Sequence, residues 1–188
     1  MIAEPALAPE WETTQWFNVP GPLSLADLHG RVVVLHAFQM LCPGCVAEGL
    51  PQAQRIRDIF SPEQVAVIGL HTVFEHHEAM TPTALAAFIH EYRLTFPIGV
   101  DRPDPKSPVP RTMARYAMRG TPTLLLIDRQ GHLRKQRFGH ESDLRLGAEI
   151  MALIRENDPP QANAPGDAVP GTAGGSGSGC GPEGCLLD

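Results

Sequence analysis

From Val32 to Phe38 the chain reads VVVLHAF, β-branched or apolar at every position but one. So continuous a run predicts a strand covered on both faces. Beyond it the apolar positions change period. Val46, Leu50, Ala53, Ile56 and Phe60 recur at helical spacing, which predicts a helix over 43–60. QVAVIGL, 64–70, reads as a second buried strand. Thr81-Pro82 then supplies an N-cap and a first-turn proline for a helix with Leu85, Phe88, Ile89 and Tyr92 on one face. A short helix follows over 111–118, with Met113 and Tyr116 or Ala117 turned inward. PTLLLID (122–128) and HLRKQRF (132–138) flank Arg129-Gln130-Gly131, a spacing that suits an antiparallel hairpin. A last helix over 142–156 buries Leu146, Ile150, Leu153 and Ile154. The order β-α-β-α-(α)-β-β-α predicts an α/β domain, a mixed central sheet flanked by helices on both faces.

After Asn157 the pattern stops. DPPQANAPGDAVPGTAGGSGSG is rich in Pro, Gly, Ser and Ala and has no apolar period. This composition predicts a folded domain over 1–157 (core 11–156), a flexible linker over 158–179 and a disordered tail over 180–188 carrying Cys180 and Cys185. The domain of about 150 residues can bury a core without disulfide staples.

The chain of 188 residues carries a formal net charge of −6, and its basic residues, nearly all Arg, are scattered. Neither property suits a phosphate-binding face, so a nucleic-acid partner is not expected. MIAEPALAPEW lacks the basic n-region and the apolar stretch of roughly seven to fifteen residues that a secretory signal needs. No run approaches the roughly 20 apolar residues of a membrane span. The expected setting is therefore cytoplasmic, away from membranes. In a reducing compartment, four cysteines in two close pairs point to redox or metal chemistry rather than to structural disulfides.

Cys42 and Cys45, separated by Pro43 and Gly44, lie at the junction between the first strand and its helix. Unpaired backbone N–H groups and the helix dipole favour an anion at such a position, which makes Cys42 the nucleophile. Cys45, about one turn further in, is placed to resolve a mixed disulfide held on Cys42. Pro43 sits where a missing N–H costs little. A zinc clip is the alternative, but zinc asks for four ligands and a second suitably spaced pair.

With VVVLHAFQMLCPGC and the distant RGTPTLLLIDRQGHLRKQRFG together, the chain resembles the thioredoxin-like superfamily, and within it the TlpA/redoxin branch related to AhpC/TSA proteins. The likeness covers residues 11–156. It implies the thioredoxin-like fold, thiol–disulfide oxidoreductase activity and a cis bond before Pro122, which faces the cysteines. It also implies that the Thr121 backbone, with Pro43 and Gly44, docks a substrate chain beside Cys42. The partners implied are a disulfide-bearing protein or small molecule and an electron donor, and no dissociable cofactor is needed because the sulfurs carry the electrons. Leu41 replaces the thioredoxin Trp, the spacer is Pro-Gly, and His36 stands where thioredoxin has a buried Asp. A neutral His36 imidazole is a candidate acceptor for the Cys45 proton; a core histidine bonded to a backbone carbonyl is the plainer alternative.

Two other functions share these residues. In peroxiredoxins, which have the same fold, the peroxidatic cysteine follows a Thr or Ser three residues earlier and a Pro before that; here Gln39 and Leu35 stand there. A copper- or zinc-handling module could use Cys42, Cys45 and His71, with Glu75, His76, His77 and Glu78 close by, although a solvated polar loop explains that run as well. The second pair, Cys180 and Cys185, is a candidate redox shuttle. Its 22-residue linker (158–179) has a coil reach of roughly 26 Å and would present the pair at about millimolar effective concentration.

Overall fold

The computed structural model describes residues 6–156 and the strand residues 180–181 and 184–185. The chain forms two compact units, Met1–Asn157 and Asp158–Asp188. The proposed linker and most of the tail lie outside the described residues.

In the first unit, β2 (Val32–Phe38) is buried at all seven positions and forms the centre of a six-stranded sheet. On one side it pairs in parallel with β3 (Val65–His71), from Val32↔Val65 to Phe38↔His71. On the other it pairs antiparallel with β5 (Thr123–Ile127), which continues antiparallel into β6 (Leu133–Phe138). Two strands that periodicity did not reveal complete the order β1-β4-β3-β2-β5-β6: β1 (Thr13–Phe17) and β4 (Ile98–Asp101). β1 is a half-exposed edge strand, and β4 has four residues followed by Pro103 and Pro105, too few to establish a period.

Alternation along β2 divides the core in two. Val32, Val34 and Phe38 pack with Leu50, Ala53 and Ile56 of α1 (Leu50–Ile59), Leu85 and Ile89 of α2 (Pro82–Glu91), and Leu146 and Ile150 of α4 (Asp143–Arg155). Val33, Leu35 and Ala37 face Trp11, Leu28 and Met113, the last from α3 (Arg111–Arg115). The sheet is thus mixed, with helices on both faces, as expected. Among the described residues no helix is long and apolar enough to cross a membrane.

The helix expected over 43–60 is continuous but not uniformly α. Cys45–Gly49 forms a π turn before α1 begins. Pro51 has no N–H to close an i→i−4 bond and its ring would meet the carbonyl four residues back, so the wider turn accommodates it. Helix starts elsewhere are capped by side chains: the hydroxyls of Thr81 and Ser142 accept from Ala84 N–H (3.2 Å) and Arg145 N–H (3.4 Å). Tyr92, expected on the inward face of α2, is exposed and stacks on Phe88 with ring centroids 4.2 Å apart. The short helix ends at Arg115, and Ala117 turns outward with φ 48°. Asp101, buried at the end of β4, accepts from the N–H groups of Thr112 (2.8 Å) and Met113 (3.0 Å) and from the Thr72 hydroxyl (2.9 Å), joining α3 to the sheet.

Gly69 leaves room on β3 for aromatic packing. A Cβ there would lie 3.0 Å from Ile98 Cγ1 and Phe96 Cε2 and 3.2 Å from Phe38 Cε1. Gly69→Val is expected to lower stability by about 1–3 kcal/mol through overpacking, read as a lower urea midpoint at unchanged slope.

Candidate active site

The parallel register of β2 and β3 brings their carboxyl ends together, and Thr72 N–H donates to the Phe38 carbonyl (3.0 Å). The chain then turns through Gln39–Leu41 into the cysteine pair. Cys42 N–H donates to the Gln39 carbonyl, while the Cys42 carbonyl accepts from the N–H groups of Cys45 (3.0 Å) and Val46 (3.1 Å). These bonds open the helix and fix the direction of both sulfurs.

Both cysteines are thiols. Cys42 is half-buried and flanked by exposed Leu41, Pro43 and Gly44, whereas Cys45 is fully buried. Their sulfurs stand 2.6 Å apart. Cys42 Sγ also receives the Cys45 backbone N–H (3.3 Å) and reaches the Thr121 carbonyl (3.5 Å). An N–H aimed at sulfur becomes a stronger bond as the sulfur takes negative charge. Cys45 differs: burial first, then its hydrogen bond with Cys42, push its thiol up to about 12. One sulfur faces outward with a donor behind it; the other is held protonated.

Thr121-Pro122 is a cis peptide at the start of β5. A Cβ on Gly44 would sit 3.4 Å from Pro122 Cδ, so Pro122 lies directly against the CPGC turn. Its carbonyl accepts from Gly139 N–H (2.8 Å). Leu41 and Phe138 are exposed large apolar side chains in the turn and at the end of β6, and the Arg119 guanidinium stands 5.7 Å from the Phe138 ring.

His36 projects from β2 on the sheet face that Cys45 also packs against. It is buried, and its ring Nε2 has no hydrogen-bond partner, so no backbone carbonyl is bonded there. Burial, then the charge of His140, keep it neutral down to about pH 4. A Cβ on Gly49 would be 3.8 Å from His36 Nδ1 and 3.4 Å from Pro122 Cβ. The imidazole and the proline thus flank the back of the π turn at Gly49.

Several neighbours carry no sequence signal. His140 stands 3.9 Å from Glu48, on the π turn. Buried Gln52 donates to the Glu141 carbonyl (2.7 Å) and to Asp143 (2.6 Å). These residues meet only through the fold.

Gln39 is buried and fully engaged: its side-chain oxygen accepts from Phe74 N–H (3.2 Å) and its amide donates to Glu75 (3.2 Å). Leu35 belongs to the opposite core layer. Neither position offers a hydroxyl to Cys42. His71 does end β3 on the same edge, but it points inward, buried with its ring 5.3 Å from Phe38, and burial keeps it neutral down to about pH 4. His76 and His77 are exposed. Among the described residues no three His, Cys, Asp or Glu side chains gather closely enough to hold a metal ion. An apolar groove of about 590 Å³ between α1 and α4, lined by Ile59, Leu144 and Met151, contains neither cysteine.

Comparison with known proteins places the chain in a family. The model of the AhpC/TSA family matches residues 6–136. The crystal structure of a thioredoxin-like superfamily protein is 61% identical, superposes with a TM-score of 0.77 and covers 79% of this chain and 96% of its own. A thiol-disulfide isomerase from Corynebacterium glutamicum is 47% identical, again with a TM-score of 0.77, covering 80% of this chain and 97% of its own. No curated protein sequence matches significantly. The chain belongs to the AhpC/TSA family of thioredoxin-like redoxins.

Proposed function

We propose that the protein is a thiol–disulfide oxidoreductase in which Cys42 and Cys45 form the working redox couple. The observation that carries this is the pairing of a half-buried, N–H-supported sulfur with a buried, protonated one at 2.6 Å, beside Thr121-Pro122. The 47% identical relative, named a thiol-disulfide isomerase, supports it.

The Cys42 thiolate attacks one sulfur of a substrate disulfide. The substrate S–S bond breaks, its other sulfur leaves as a thiolate that takes a proton, and a mixed disulfide remains on Cys42. The substrate backbone lies along Thr121, with Pro43 and Gly44 on the other side. Cys45 then gives up its proton and attacks Cys42 Sγ, releasing the second substrate thiol and leaving a Cys42–Cys45 disulfide. His36, neutral and on the same sheet face, takes the Cys45 proton as the thiolate forms, each new charge stabilising the other. A dithiol donor returns the couple to the reduced state. In the cytoplasmic setting that we propose, the net direction is substrate reduction.

Insulin disulfide reduction driven by dithiothreitol is the direct test. The rate should depend on Cys42, whereas hydrogen peroxide should disappear no faster than with Cys42→Ser. Rapid Cys42-dependent peroxide loss overturns the reading in favour of a peroxidase. His36→Phe should slow the resolving step about a hundredfold while leaving the first attack intact, seen as mixed disulfide accumulating in rapid-quench samples.

A further inference from the structure

The chain ends in a second pair of cysteines, and its backbone sets them face to face. β7 (Cys180–Gly181) and β8 (Gly184–Cys185) pair antiparallel, with Cys180 opposite Cys185 and Gly181 opposite Gly184. Directly opposed residues of an antiparallel pair have Cα atoms roughly 4.5–5.5 Å apart. A disulfide closes at Cα separations of roughly 4.4–6.8 Å. The register therefore places the pair at bridging distance.

The composition around the pair says what kind of disulfide this would be. The segment CGPEGCLLD has only Leu186 and Leu187 as large apolar residues, too few to enclose a bridge in a core of its own. A disulfide closing so short a loop, without a core, is of the labile and exchangeable sort rather than the structural sort. In the reducing setting proposed above, a structural staple would not persist.

From this juxtaposition we propose that Cys180 and Cys185 form a second redox centre, a disulfide that the Cys42–Cys45 couple reduces and that passes the electrons on to an external disulfide. The proposal rests on the oxidoreductase reading of the first site. The Cys42 thiolate attacks one tail sulfur; the Cys180–Cys185 bond breaks, and the other tail sulfur leaves as a thiolate and is protonated. Cys45 loses its proton and displaces the tail from Cys42. Two electrons have moved: Cys42–Cys45 is now the disulfide and Cys180 and Cys185 are both thiols. The tail dithiol repeats the exchange on an external disulfide and is reoxidised. Twenty-two residues, 158–179, lie in the sequence between the end of the first unit and Cys180. A Gly/Ser-like tether of that length would hold its end at about millimolar effective concentration, well above what a free partner usually reaches.

The test uses the full-length chain carrying Cys45→Ser, which halts exchange at the first step. After titration with oxidised glutathione, thiol-blocked peptides are mapped by mass spectrometry. A Cys42–Cys180 or Cys42–Cys185 bridge is expected in most chains, forming at a rate that does not change on tenfold dilution and disappearing in a variant that also carries Cys180→Ser and Cys185→Ser. A bridge between two chains, forming faster at higher concentration, still supports the tail as substrate and assigns the transfer to neighbouring copies. Wild-type protein is assayed on insulin in parallel. If insulin is reduced but no Cys42–tail bridge forms, the tail proposal is overturned and the oxidoreductase reading stands. If insulin is not reduced, the reading of the first site has failed. One zinc per chain bound in wild-type protein and lost with Cys180→Ser and Cys185→Ser also overturns the tail proposal, assigning the pair to metal.

Discussion

Lowering the pH from 7 to 5 is expected to destabilise the folded domain by about 4 kcal/mol, through two histidines. His36 and His71 are both buried, with no hydrogen bond to Nε2 of His36 or to either ring nitrogen of His71. Burial keeps each neutral down to about pH 4. In the unfolded chain an imidazole takes its proton near ~6.5. Between those values the unfolded state binds more protons, so the stabilising contribution is complete above pH ~6.5 and is lost as the pH falls toward 4. The loss approaches about 1.4 kcal/mol per pH unit for each histidine. Carboxylates held below their usual range, such as Glu12 beside Arg111, respond only in more acidic solution, while Asp101, pushed up by burial, takes its proton sooner in the folded state and offsets part of the loss. Urea midpoints measured across that interval should fall steadily. His71→Phe should halve the slope, since it removes one titrating ring while keeping an aromatic against Phe38. An unchanged slope in that variant would show that other groups govern the acid response.

The same two histidines show how far the residue pattern could be followed. β2, β3, the helix of the cysteine pair and the β5–β6 hairpin were legible because each is long enough to establish a period or carries a turn signal. His36 could be assigned to the interior from its place in a buried strand. His71 was read as a candidate ligand because it borders a polar run, yet β3 extends one residue beyond the expected strand and carries it under Phe38. β1 and β4 escaped notice because one is a half-exposed edge and the other is too short. Pro51 was visible throughout, and its conflict with an unbroken α-helix is what the π turn resolves. The proximity of Glu48 to His140 and the clasp of Gln39 on Phe74 and Glu75 depend on segments distant in sequence, where no local pattern reports the contact.

Substitution at the two cysteines should separate attack from release. Cys42→Ser is expected to reduce disulfide turnover by more than about a thousandfold, because a hydroxyl at that position has neither the acidity nor the nucleophilicity of a thiol. The N–H of Cys45 and the Thr121 carbonyl remain in place to orient the replacement oxygen, so folding should be unaffected and the loss is chemical. Cys45→Ser should lose turnover to a similar extent by another route. Its Cys42 still attacks, one equivalent of substrate thiol appears in a burst, and the chain then holds the other half of the substrate covalently. Mass spectrometry of the unreduced protein should find that adduct on Cys42 with Cys45→Ser and no adduct with Cys42→Ser. Should Cys42→Ser instead trap substrate on Cys45, the roles assigned here would be reversed. The burial of Cys45 argues against that outcome: a sulfur with no exposed surface, held protonated up to about pH 12, can reach only a disulfide already delivered to Cys42.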